Sequence, residues 1–250
     1  MDFTNSIPFS VKNHQKKPPF GEAFLFFLVF FFPGYYYQTS QFSFGVMFSV
    51  DFHLLSLLFT LPQLILMLYI LQLRTGGDSG RYGTFAFKSS ILPKALVTFL
   101  GVFSITLTLG IIAQLFGTYT GISFINPAIP AGPSDGIDYS ILRSSPFLPL
   151  CILGTSLIIG YFEELFFRVY LISEFSGSFL GTAGIVGISS LLFSAGHLYQ
   201  GFIGALGTFL IGTFLAYRYI RGRNWHEIAI AHGVYNFLML MLIPALNAAG

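Results

Sequence analysis

Six polar side chains stand inside otherwise apolar sequence in the second half of this 250-residue chain, in three clusters each one helical turn long. The first is Tyr161-Phe-Glu-Glu-Leu-Phe-Phe-Arg168, with two adjacent carboxylates and an arginine. Glu164 and Arg168 are four apart, acid first, the favourable order for an ion pair on one helix face. Glu163 points about 100° away around the helix, so it is not neutralised by the same arginine and is free to meet another helix and accept a proton. The second cluster, Leu191-Leu-Phe-Ser-Ala-Gly-His197, sets Phe193 and His197 one turn apart, and the third, His232-Gly-Val-Tyr-Asn236, does the same for His232 and Asn236. Taken singly, Glu164 with Arg168 reads equally as a structural ion pair, His197 as an interfacial residue, and Asn236 as glue between helices. Together they have a chemical reading. Glutamate with histidine can deprotonate water, and histidine with asparagine can donate hydrogen bonds to an oxyanion, which is the equipment for hydrolysing an amide. There is no G-x-S-x-G elbow and no Ser/Lys dyad, and Cys151 lies about three turns before Glu163, so water is the expected nucleophile.

The elements that must position these groups are membrane helices. The chain is 54% hydrophobic and only 9% charged, where soluble domains carry about 25% charged residues. Its apolar runs reach ~20 residues without the alternation of a barrel strand, which predicts an all-α polytopic helical bundle of about seven transmembrane helices. An ionised side chain at that depth costs a few kcal/mol, so Glu163, Glu164 and Arg168 need a reason to be there. Net charge is +2 with no basic patch, which argues against a nucleic-acid partner. The single cysteine, Cys151, excludes an intramolecular disulfide and a cysteine metal cluster, and reads as a small buried side chain.

Apolar windows place the spans at about 21–38, 51–73, 91–116, 146–172, 179–198, 202–220 and 226–246. Three segments follow: a tail over 1–20, N-terminal helices and loops over 21–145, and a catalytic helical core over 146–246. Tyr35, Tyr36 and Tyr37 look like an interfacial belt, Pro62 should kink the second span, and Asn126–Pro133 suits a surface cap. With the N-terminus inside, ten basic residues fall on the cytoplasmic side (Lys12, Lys16, Lys17, Arg74, Arg81, Lys88, Lys94, Arg218, Arg221 and Arg223) against Arg143 outside, which fixes the expected orientation. Glycines concentrate in spans five and six, from Gly181 to Gly212, at spacings that let helices approach closely, so the C-terminal half is expected to be the tightly packed half. His226 and Glu227, beside Trp225 and the basic loop, read as solvated interfacial residues. One geometric problem follows from the layout: a full fifth span would carry His197 to the face opposite Glu163 and His232. Either that span starts deep, after a dipping Gly177–Gly184 segment, or it ends early and Leu198–Gly201 re-enters the membrane, which is possible where the backbone is buried in protein.

The three clusters resemble the motifs of the CPBP intramembrane proteases, the CAAX protease and bacteriocin-processing (Abi) family, which includes the type II CAAX prenyl endopeptidases. Its E-E-x-x-x-R, F-x-x-x-H and H-x-x-x-N motifs correspond to Glu163-Glu164-Leu-Phe-Phe-Arg168, Phe193-Ser-Ala-Gly-His197 and His232-Gly-Val-Tyr-Asn236. The resemblance covers about residues 146–246. It implies a helical bundle around a conical cavity, and cleavage of a membrane-associated peptide or protein, a CAAX tail or a leader peptide among the candidates. By motif, Glu163 and His197 would activate water, and His232 and Asn236 would stabilise the oxyanion. Glu164 and Arg168, with Phe193, would brace the site or place substrate. The implied partners are the lipid bilayer and a peptide substrate, and the implied location is a prokaryotic plasma membrane.

Members of that family are commonly labelled metalloproteases, and Glu163, His197 and His232 could hold zinc with water in the fourth position. The absence of H-E-x-x-H and the pairing of a buried glutamate with histidine favour a metal-independent mechanism with no cofactor. Two other classes compete: a non-catalytic membrane scaffold or bacteriocin-immunity protein, in which the same cluster serves packing, and a proton-coupled transporter. The transporter is disfavoured by the lack of an inverted repeat.

Overall fold

The computed structural model describes residues 19–33, 44–75, 80–121 and 145–247, with side chains as far as 242. The N-terminal tail, Tyr35–Tyr37, Asn126–Pro133 and Arg143 lie outside the described residues. Among the described residues seven helices follow one another: α1 Phe20–Phe30, α2 Val50–Thr75, α3 Ile91–Thr120, α4 Leu148–Phe175, α5 Gly181–Ala195, α6 Gly201–Gly222 and α7 Trp225–Asn247. Among the described residues no strand forms beyond one isolated bridge between Thr84 and Asn224. Among the described residues four stretches are long and apolar enough to cross a membrane: α2, α3, α4, and α6 with its preceding turn, Leu198–Gly222. Their outer faces are lined by exposed Leu54, Leu58, Phe59, Ile65, Leu107 and Ile111, the inside-out pattern expected of a protein solvated by lipid. Pro62 sits inside α2, which continues to Thr75.

The core gathers around α4. That helix packs against α2 and α7, and α7 packs in turn on α3, while α5 and α6 form a hairpin at its side. The α1 aromatics reach across to it, with Phe31 stacked on Phe162 at 5.0 Å and touching Phe166 and Phe167 at 4.9 Å. One close helix crossing joins α4 and α7. A Cβ on Gly160 would lie 2.8 Å from the Gly233 nitrogen, and one on Gly233 would lie 2.8 Å from the Leu157 Cα, so only glycine permits this approach. Gly187, by contrast, has nothing within 4 Å of its would-be Cβ.

Charges collect at one end of the bundle, where α1 and α7 begin and α2, α4 and α6 end. Arg74 pairs with Glu22 and lies 3.7 Å from Glu174, which also accepts from Arg81 at 2.7 Å and from the Tyr82 hydroxyl. Burial, and then that bond to Glu174, push the Tyr82 phenol well above its ordinary range. Glu227 is buried and accepts from Thr98 at 2.7 Å and from Arg218 Nε at 2.9 Å. Both nitrogens of His226 are occupied, by the Tyr161 hydroxyl at 3.1 Å and the Phe85 carbonyl at 3.0 Å. The expectation of simple interfacial solvation is therefore corrected for Glu227, which Thr98 of α3 and Arg218 of α6 enclose, whereas His226 stays partly exposed.

Candidate active site

The depth problem posed by His197 is resolved by a short helix. α5 has 15 residues, about 22 Å at 1.5 Å each, too little for a hydrocarbon core of about 30 Å. It ends at Ala195, and a 3₁₀ turn over Leu198–Gln200 leads to Gly201, whose φ of 79° reverses the chain into α6. His197 thus stands at the apex of the α5–α6 hairpin, with its ring against Phe193 and the following Leu198 exposed. Its Nδ1–H donates to the Phe193 carbonyl at 2.9 Å, which leaves Nε2 as the proton-accepting nitrogen of the neutral ring.

Glu164 is the hub of the site. Its Oε1 accepts from Arg168 Nη1 at 2.9 Å and from His232 Nδ1 at 2.8 Å, tying α4 to α7. The side chains of Glu164 and Arg168 are both fully buried. Arg168 Nε and Nη2 have no hydrogen-bond partner among the described residues. Its guanidinium instead lies 4.4 Å from the Phe193 ring centroid and 5.7 Å from that of Phe167, cation–π contacts that partly replace lost hydration. Gly212 of α6 admits this packing, since a Cβ there would meet Arg168 Nη2 at 3.1 Å and Phe193 Cδ1 at 3.2 Å.

Glu163 is disposed differently. Its Oε2 lies 3.6 Å from His232 Nε2, and its side chain keeps 17% exposure against 4% for His232 and none for Glu164. It is therefore the carboxylate that a small molecule could reach. The Phe193 ring contacts both histidines, with centroids 4.8 Å from His197 and 5.6 Å from His232. His197 lies within electrostatic reach of Glu163, His232 and Arg168. Six of the seven expected residues come together in this way. Asn236, one turn beyond His232, is half-buried and makes no hydrogen bond among the described residues.

Sequence reasoning missed Tyr199, whose ring stacks on His197 at 6.2 Å and which feels the charge of Glu163. Its place two residues after His197 was its only signal. It also missed His53, buried in α2 with Nε2 bonded to the Met47 carbonyl at 2.8 Å.

The fold and the buried carboxylate–histidine cluster together define a class, an integral membrane protein built of helices with a polar site inside the bundle. Within it, residues 145–238, which carry all three motifs, match the family model described as Type II CAAX prenyl endopeptidase Rce1-like. That family implies a peptidase and suggests CAAX-type intramembrane protease activity. No curated protein and no solved structure matches the chain.

Proposed function

We propose that this protein is an intramembrane endopeptidase that cleaves a peptide bond near the end of a membrane-anchored substrate, using water activated by Glu163 and His197. The observation that carries the reading is the division of labour between adjacent acids: Glu164 is committed to Arg168 and His232, whereas Glu163 has no arginine of its own and faces His232 Nε2. A carboxylate without a dedicated cation in a nearly dry site is suited to accept a proton. In the proposed reaction, Glu163, assisted by His197, takes a proton from water as the hydroxide adds to the scissile carbonyl. His232, held through Nδ1 by Glu164, and the Asn236 amide stabilise the oxyanion. Collapse of the tetrahedral intermediate breaks the C–N bond, and the proton held by the base goes to the leaving nitrogen.

The reaction needs no metal. What supports this is the chemistry of the residues: the chain has no H-E-x-x-H motif, and a buried glutamate paired with histidine can act on water by itself. The family match favours a prenylated CAAX tail as substrate. The clustering of Arg74, Arg81 and Arg218 at one end of the bundle supports a cytoplasmic position for that end, and with it for the N-terminus, in a prokaryotic plasma membrane. The test is cleavage of a farnesylated CAAX peptide by the purified protein in nanodiscs. Glu163→Ala and His197→Ala should each abolish cleavage while leaving the protein folded; undiminished cleavage in both would sink the mechanism and leave a packing role.

A further inference from the structure

The helix that carries Glu163, Glu164 and Arg168 is not a uniform α-helix. Residues Leu165–Tyr170 form a π turn between the α segments Leu148–Glu164 and Leu171–Phe175. Such turns insert one residue into the helical ladder, are rare, and concentrate at functional sites. The Leu171 N–H bonds five residues back to the Phe166 carbonyl. The α segment resumes at Leu171, and a change from five-residue to four-residue pairing at that point passes over the next carbonyl, that of Phe167. Left unpaired in a buried position, it would carry the full penalty of a lost hydrogen bond.

Its partner comes from another helix. The Ser189 hydroxyl of α5 donates to the Phe167 carbonyl at 2.6 Å, and Ser189 is itself 1% exposed. Ser189, Phe193 and His197 are successive i, i+4 positions, so one stripe of α5 grips the π turn, covers Arg168 and ends at the apex histidine. We propose that Ser189 is a positioning residue: its bond to Phe167 holds the π turn, and through that turn the register of Glu163, Glu164 and Arg168 against His197 and His232. Without the hydroxyl, the Phe167 carbonyl regains a partner if the turn relaxes toward α. Losing the extra residue rotates one flank of the helix against the other by about 100°. Arg168 and the two acids cannot then all keep their present partners.

The effect on catalysis rests on the proteolytic reading above, whereas the effect on the turn does not, and the test separates them. Full-length Ser189→Ala and Ser189→Thr proteins are compared with wild type in nanodiscs. Hydrogen exchange is followed over Phe166–Ile172, and kcat and KM are measured separately on a farnesylated CAAX peptide. Ser189→Ala should speed exchange in that segment and lower kcat about tenfold, the size of one lost hydrogen bond, with KM within about twofold. Ser189→Thr, which keeps the hydroxyl, should restore both. Ser189→Cys, nearly isosteric and a weak donor, carries the same comparison if the alanine variant does not fold. Unchanged exchange in Ser189→Ala, or a threonine variant that behaves like alanine, would overturn the assignment. Failure of wild type to cleave the peptide would count against the proteolytic reading, and the exchange comparison would still decide the role of Ser189.

Discussion

Glu164 and His232, 68 residues apart in sequence, are joined by a 2.8 Å hydrogen bond between two buried side chains. That contact fixes the distance between α4 and α7, and it fixes which histidine nitrogen faces Glu163. The adjacent acids should therefore fail in different ways. Glu164→Gln leaves the fully buried Arg168 without a counter-charge, a change that typically costs about 3–5 kcal/mol. It should lower both thermal stability in detergent and activity, and a melting curve beside a rate measurement checks the pair of effects.

The Gly160–Gly233 crossing sets the same distance from the backbone side. Gly160→Ala puts a methyl 2.8 Å from the Gly233 nitrogen, so α4 and α7 must separate, at about 1–3 kcal/mol for overpacking. Gly187→Ala, with nothing within 4 Å, should be neutral or slightly stabilising through helix propensity. Thermal denaturation of the two variants in parallel gives the comparison, and equal melting temperatures would contradict it.

The Arg218–Glu227–Thr98 group, in which Glu227 and Thr98 are buried, ties α3 to α6 and α7. Thr98→Val removes one donor to Glu227 and should destabilise by about 1–2 kcal/mol, whereas Glu227→Ala should cost more because Arg218 is left facing a buried void. Urea or thermal titration of both variants should preserve that order.

Metal independence predicts that exhaustive chelation leaves the cleavage rate within about twofold, and that added zinc does not raise it. A rate lost on chelation and recovered with zinc would instead mean that Glu163, His197 and His232 rearrange to bind the ion.

Much of the fold was legible because lipid imposes a simple rule: long apolar runs must be helices, and charges among them must meet. The i, i+4 spacing of Glu164 with Arg168 carried directly into the observed ion pair. The partnership of Glu164 with His232 was less accessible, since nothing local encodes which acid of an adjacent pair faces a helix 68 residues away. Three further features depend on tertiary contacts. The burial of Glu227 needs Thr98 of α3, the tight crossing needs Gly160 and Gly233 to coincide in space, and the π turn shows itself only through the Phe167 carbonyl and Ser189. The tight α4–α7 crossing at Gly160 and Gly233 lies in the C-terminal half but outside the glycine-rich stretch from Gly181 to Gly212, because glycine content marks where approach is possible and not where it occurs.

The most direct test of the central claim is the turnover of Glu163→Gln on a farnesylated CAAX peptide, with its melting temperature measured alongside. The substitution preserves shape and removes the proton-accepting carboxylate. If Glu163 is the general base, the rate should fall by about 10²–10⁴-fold while the melting temperature stays near that of wild type. A Glu163→Gln protein that cleaves at the wild-type rate would contradict the account.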